Sequence, residues 1–297
     1  MRRRDFNGGL ALAIAGLPAM AINQKNRGDE ASPFAAIEAG VHGRLGVAVL
    51  DATSGRLDGW RLDERFPMCS TFKWLLAAAV LQRVAAGQEQ LARRIVITHD
   101  ALAGWSPVTG KRLGGAGMSV GELCEAAVTV SDNTAANLLL AAVGGPAAVT
   151  RCARTLGDGE TRLDRIEPAL NEALPGDPRD TTTPRAMSAA LRSALLGDGL
   201  AAAGRDQLTR WMVATTTGAD RLRAGLPEGW RVADKTGTGD RGSTNDVAVA
   251  WPAAHGPLVV VAYLTDCKAA PARREAALAS VGRVVAGSLA GGFTKAL

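Results

Sequence analysis

The strongest constraint on the fold is where two kinds of hydrophobic pattern fall along the chain. A compact apolar run of strand length stands near the start, at residues 45–50, followed after a turn by a second strand at 56–62, and strand-like stretches stand near the end, at 230–238, 244–250 and 258–264. The region between, from about 67 to 215, carries helical pattern. Strand backbones need partners for their N–H and C=O groups, so the two early strands are expected to pair with the three late ones. This predicts an α/β fold: one antiparallel five-stranded sheet, flanked by a short helix over 34–39 and a closing helix over 272–289. The α/β lobe would comprise 22–66 plus 216–297. An all-α lobe over 67–215 would be inserted into it, with the site between the lobes.

Local signals divide the helical region. Ser32-Pro33 opens the first helix. The run behind Ser70 holds no breaker before Gly87. Ser119 and Glu122 have capping-box spacing ahead of an apolar run that ends near Val130. Ser131-Asp132-Asn133 turns into a helix over 134–143, which stops at Gly144-Gly145, and Pro146 suits a following first turn. Thr183-Pro184 opens another helix to about 196, and a further one spans about 201–215. Residues 159–182 show no apolar period. A structureless loop of that length inside a compact domain is generally functional.

Composition removes several classes of function. The net charge of +5 over 297 residues is small, no run of five Lys or Arg occurs, and aromatics make up 4%. That argues against nucleic-acid binding. The three histidines, His42, His99 and His255, lack ligand spacing, so neither a metal nor a cofactor is expected. Arg2-Arg3-Arg4-Asp5-Phe6 followed by a mildly apolar stretch and Ala19-Met20-Ala21 reads as a signal peptide over 1–21, of twin-arginine type. Export to the periplasm follows. No cysteine lies near the cleavage site and no apolar run reaches about 18 residues, so no membrane anchor is expected after cleavage. Four cysteines, Cys69, Cys124, Cys152 and Cys267, allow three pairings, none of them selected by the sequence. Their apolar surroundings suit small buried residues.

Ser70 and Lys73 stand three apart at the head of a helix, on one face. A serine needs a base or proton shuttle beside it. A desolvated lysine can act as one, and the helix N-terminus suits a developing oxyanion. Taken alone, Ser-x-x-Lys is weak, and a capped core helix is the better explanation of it. Three further elements follow in order: Ser131-Asp132-Asn133, Glu167-Pro168-Ala169-Leu170-Asn171 and Lys235-Thr236-Gly237.

Together these resemble the class A serine β-lactamases, whose known signature includes Ser-x-x-Lys, Ser-Asp-Asn and Lys-Thr-Gly. The resemblance covers nearly the whole mature chain. It implies an enzyme without metal or cofactor that opens the lactam amide of penicillins, and of cephalosporins, through an acyl-enzyme on Ser70; a monomer is the default, because an enclosed small-molecule site needs no partner. By resemblance, Lys73 and Ser131 would move protons, and Glu167 would activate the deacylating water with Asn171 beside it. Whether Lys73 or Glu167 takes the Ser70 proton is left open. The backbone N–H groups of Ser70 and Thr238 would hold the oxyanion. Asn133 would meet the substrate's side-chain carbonyl, and Lys235, Thr236 and Gly237 its carboxylate end. The resemblance also suggests a cis Glu167-Pro168 bond, an Arg165–Asp180 pair at the loop neck, and Asn137 bonding the loop.

Departures bear on substrate range. Thr244 stands where many members carry a carboxylate-binding arginine, and Arg221 resembles the substitute arginine of another branch. Trp105 matches an aromatic gate, against the plain alternative of a core tryptophan. Arg221, Trp105 and Thr238 together resemble broad-spectrum members. The bridge typical of carbapenem-hydrolysing members has Cys69 at one end and Gly239 at the other, so it cannot form; another common bridge pairs Cys124 with what is here Ala77. Rival readings are a penicillin-binding DD-peptidase and a β-lactam-sensing module, both of which would lack the Glu167 arrangement.

Overall fold

The computed structural model describes residues 32–290; the segment read as a twin-arginine signal lies outside the described residues. The Ser32 hydroxyl accepts from Phe34 N–H and opens α1 (Pro33–Val41). Strand β1 (Arg44–Asp51) turns back as β2 (Leu57–Trp60) through a tight turn. There the Asp51 carboxylate accepts from Thr53 N and the Ser54 hydroxyl, at 2.8 and 2.6 Å. A two-residue strand, β3 (Phe66–Pro67), leads into a 3₁₀ turn at Cys69–Thr71 and then α2 (Phe72–Ala85). The middle of the chain holds β4 (Arg94–Ile95), β5 (Met118–Ser119), α3 (Val120–Thr129), α4 (Asn133–Val143) and α5 (Pro146–Thr155). Next come β6 (Thr181–Thr182), α6 (Pro184–Leu196), α7 (Ala202–Val213) and the short α8 (Leu222–Gly225). The chain closes with β7 (Arg231–Thr238), β8 (Thr244–Trp251), β9 (Leu258–Thr265) and α9 (Pro271–Ala290).

The expected sheet forms, antiparallel throughout, in the order β2-β1-β9-β8-β7. The first strand of the chain therefore lies beside the last, in register Ala48↔Val261. Both faces of the central strands are covered, which is why they read as unbroken apolar runs rather than alternating ones. On one face Val47, Val49, Ala248 and Val260 pack with Phe34 of α1 and Leu278 and Val281 of α9. On the other, Ala48, Val247, Val261 and Tyr263 belong to a core continuous with α6 and α2. Residues 72–81 of α2 are all buried. The three alanines Ala77, Ala78 and Ala79 leave room for its neighbours to approach.

The capping box at Ser119 and Glu122 is formed in both directions, at 3.1 and 2.7 Å. Two strand pairs went unread in the sequence: β3 with β6, and β4 with β5. The stretch expected to be all-helical thus contains three short strands. Two-residue strands carry no period-2 pattern, and Pro67 offers no ladder N–H, so only tertiary proximity defines them.

Candidate active site

Ser70 sits in the 3₁₀ turn, one turn ahead of the fully buried Lys73 on α2. The preceding Cys69 is held at φ 46°, a strained value for a side chain of this kind. Bonds on all sides maintain it. Met68 N–H donates to Asp180 O at 2.9 Å, and the Thr71 hydroxyl donates to Met68 O at 2.8 Å. Strand β7 lies against this turn: a Cβ on Gly237 would stand 2.7 Å from Met68 O. Glycine at 237 is therefore a condition of the close approach.

Ser70 and Lys73 converge on a third residue. Ser70 Oγ donates to Glu167 Oε1 at 3.2 Å, and Lys73 Nζ lies 3.0 Å from the same oxygen. Lys73 Nζ also donates to Ser131 O at 2.8 Å and Asn133 Oδ1 at 2.6 Å, with Ser131 Oγ at 3.4 Å. Lys235 Nζ reaches Ser131 Oγ from the other side, at 3.1 Å, and donates to Thr236 O at 2.8 Å. The Ser131 hydroxyl thus stands between two buried lysines. Ser131 itself adopts φ 61°. Burial pulls both lysines below the ordinary amine range. For Lys73 the Glu167 and Asp132 charges oppose that pull, whereas for Lys235 the Lys73 charge adds to it.

The other oxygen of Glu167 accepts from Asn171 Nδ2 at 2.5 Å. Glu167 and Asn171 come from the long loop, and its neck is clamped. Asp180 Oδ2 accepts from Arg165 Nε at 2.6 Å, while Oδ1 takes the N–H groups of Asp164 and Arg165 at 2.8 and 3.0 Å. Asn137 of α4 bonds Glu167 twice, donating to its carbonyl at 2.9 Å and accepting from its N–H at 3.0 Å. The Glu167-Pro168 peptide is cis.

The second wall is the exposed end of β7. The Thr236 hydroxyl pairs with Thr217 at 2.6 Å. Arg221 is buried beneath the strand. It donates to Gly237 O and Asn245 O, both at 2.9 Å, and to the Thr238 hydroxyl at 2.8 Å. Trp105 is 63% exposed at the rim, its indole N–H on Val130 O at 2.9 Å, so the core-tryptophan alternative is overturned.

The β-lactamase enzyme family is matched over residues 31–289. A solved ancestral (GNCA) class A β-lactamase is 61% identical, with a TM-score of 0.84, over 86% of this chain and 97% of that one. The class A β-lactamase of the last common ancestor of Gram-negative bacteria (GNCA4) is 59% identical, with a TM-score of 0.85, over 86% and 97%. The chain belongs to the class A β-lactamase family. It is a serine β-lactamase, a hydrolase.

In this class A β-lactamase the residues singled out from the sequence converge, and three further buried polar residues support them: Asp132, Asn245 and Asp246. Asp132 is the middle residue of Ser131-Asp132-Asn133. It is fully buried and accepts four bonds: from Ala135 N at 2.9 Å as the N-cap of α4, from Val108 N and Thr109 N at 3.0 Å, and from the Thr109 hydroxyl at 2.7 Å. It therefore holds the segment that presents Trp105, and Asn133 N–H adds a bond to Trp105 O at 2.8 Å. An acidic residue three ahead of a helical N–H was the available signal. Asn245 and Asp246 on β8 are also fully buried and polar. Cys69, Cys124, Cys152 and Cys267 are all buried and unbridged. A Cβ on Gly239 would stand 2.6 Å from Cys69 Sγ, so the two positions face each other although no bridge forms between them.

Proposed function

We propose that this β-lactamase hydrolyses penicillins and cephalosporins through an acyl-enzyme on Ser70, and that Glu167 serves as base in both half-reactions. One observation carries the assignment: a single carboxylate oxygen, Glu167 Oε1, contacts both Ser70 Oγ and Lys73 Nζ. Lys73 Nζ faces three acceptor oxygens, those of the Ser131 carbonyl, the Asn133 side-chain amide and the Glu167 carboxylate, none of which can donate in return. A neutral amine has two protons for three such partners; an ammonium has three. This supports a charged resting Lys73 and leaves Glu167 as the group able to accept the Ser70 proton.

In acylation, Ser70 Oγ bonds to the lactam carbonyl carbon as its proton passes to Glu167. The backbone N–H groups of Ser70 and Thr238 take the oxyanion. The C–N bond then breaks, Ser131 Oγ gives its proton to the departing nitrogen, Lys73 replaces that proton, and Glu167 passes the proton it took from Ser70 to Lys73, 3.0 Å away, so that its carboxylate is free again for deacylation. In deacylation, a water loses a proton to Glu167, its oxygen bonds to the ester carbon, and Ser70 leaves with a proton. Asn171 holds Glu167 and the water. The substrate carboxylate would lie on Lys235, Thr236, Thr238 and Arg221, beside Gly237, a combination of charged donors and hydroxyls suited to it. Asn133 and Trp105 would line the side-chain end.

The same reading includes export to the periplasm on residues 1–21, without a lasting membrane anchor, and action as a monomer with its site between lobes 22–66 plus 216–297 and 67–215. Steady-state turnover of benzylpenicillin by the purified mature chain tests the function. Many turnovers per enzyme are expected; one equivalent consumed and then silence would refute it. Replacing Arg3 and Arg4 by lysine is expected to stop export.

A further inference from the structure

Two neighbouring residues on β8 grip opposite sides of the site. Successive side chains of a strand point to opposite faces. Asn245 lies across the ladder from Gly237, and Asp246 from Thr236. Both are fully buried.

On the α2 side, Asn245 Nδ2 donates to Pro67 O at 2.9 Å and Met68 O at 3.1 Å. Those are consecutive carbonyls of the segment entering the nucleophile turn. On the α9 side, Asp246 Oδ2 accepts from Leu222 N–H at 3.1 Å. Leu222 follows Arg221 directly, and the Arg221 guanidinium donates to Asn245 O as well as to Gly237 O and the Thr238 hydroxyl. Adjacent residues of one strand therefore hold both the turn bearing Ser70 and the segment bearing Arg221.

We propose that Asn245 and Asp246 are positioning residues that act as a two-sided latch, Asn245 setting the nucleophile turn and Asp246 setting Arg221 toward the substrate carboxylate. The proposal rests on the roles assigned above to Ser70 and Arg221. An acceptor that held Arg221 by opposing its charge would compete with the substrate. Asp246 instead bonds the neighbouring backbone N–H, and its Oδ1 has no partner among the described residues. The charged groups around it are Asp234, Arg221 and Lys235. Burial, reinforced by Asp234, holds its carboxyl well above the usual carboxylate range, against the pull of Arg221, the Leu222 N–H and Lys235. Asp246 thus fixes the segment through a backbone N–H rather than through the guanidinium. Glu275, 3.5 Å from Arg221 and partly exposed, is the nearest carboxylate partner.

The test uses the purified mature enzyme with benzylpenicillin and its methyl ester, which lacks the carboxylate. Asp246→Leu is expected to raise KM for the acid about tenfold, a loss of one charge-assisted contact, with kcat within about twofold and the ester unaffected. Asp246→Asn, which keeps a side-chain oxygen to accept from the Leu222 N–H, is expected to match the wild type on both substrates. Asn245→Leu is expected to slow acylation about tenfold on both substrates alike, read in single turnover on a Glu167→Ala background. The latch is overturned if Asp246→Leu leaves the preference for acid over ester intact, if Asp246→Asn abolishes that preference, or if Asn245→Leu weakens the acid selectively. Should Asp246→Leu fail to fold, the Asp246→Asn and Asn245→Leu outcomes still decide. A wild type that turned over neither substrate would instead strike the proposed function.

Discussion

The two walls of the site are built by opposite means. The β7 wall, carrying Lys235 to Thr238, is one edge of a five-stranded ladder, with its register set by eight paired positions against β8. The wall carrying Glu167 and Asn171 has almost no regular structure beyond a 3₁₀ turn at Ala169–Asn171. Its shape depends on side chains: Asp180 at the neck, Asn137 from α4, and the Arg165 pair with Glu172. The walls meet at few points, one being Asp240 N–H on Asn171 O at 2.9 Å. A ladder spreads its hold over many backbone bonds, whereas the loop concentrates it in a few groups. Damage to the loop wall should therefore appear as lost deacylation or stability, and damage to the strand wall as lost substrate affinity.

The sharpest break is at Glu167. Replacement by Ala is expected to slow deacylation about 10²–10⁴-fold, the usual worth of a general base, and to leave a covalent adduct on Ser70 in intact-mass spectra. Continued rapid turnover would remove Glu167 from that role.

Next in size is the loop neck. Asp180→Ala strands the Asp164 and Arg165 N–H groups and the Arg165 side chain. A loss of about 3 kcal/mol is expected in urea unfolding, since breaking a buried hydrogen-bonded pair leaves its partners desolvated. An unchanged midpoint would mean that the loop does not depend on its neck.

Gly239→Ala probes where the walls approach. Its Cβ would lie 2.6 Å from Cys69 Sγ and 2.9 Å from Asn171 O. Overpacking of this kind costs about 1–3 kcal/mol, and deacylation should slow more than KM changes. On the strand wall, Arg221→Lys loses the forked hold on Gly237 O and Thr238 Oγ1. KM for benzylpenicillin should rise about tenfold with kcat little altered, because one charge-assisted contact is weakened.

The smallest expected effect is electrostatic. Lys235 titrates below its ordinary value of 10.5 in the folded chain because it is buried beside Lys73. Between its folded value and 10.5 the unfolded chain binds a proton that the folded chain does not. Stability contributed by Lys235 therefore rises with pH across that window. Urea midpoints of the wild type should gain on those of Lys235→Gln as the pH rises toward 10.5; parallel curves would show that Lys235 carries no such penalty.

The sequence made the strand wall easier to read than the loop wall. Strand-like stretches at 230–238 and 244–250 announced β7 and β8, and Lys235-Thr236-Gly237 fell on the first by position alone. The loop was recognisable only by its lack of period, and its functional residues came from family resemblance, because irregular backbone carries no repeating signal. Asp132 was legible only as part of a turn, not as the anchor for residues 108 and 109, which lie more than twenty positions away. Asn245 and Asp246 were read simply as strand, since a buried polar pair within an apolar run reveals its partners only when those partners are in place.

The sequence by itself determined the sheet of five strands, the helices with their caps, and the order of the catalytic motifs. Each of these follows from local pattern or from residue type at short spacing. Tertiary structure alone decided that Ser70, Lys73 and Glu167 share one oxygen, that Ser131 lies between two lysines, and that β8 holds both the nucleophile turn and Arg221. These contacts join segments up to 178 residues apart. They depend on how a close-packed interior brings distant backbone carbonyls and buried charges within bonding distance, and no local preference of the chain encodes that.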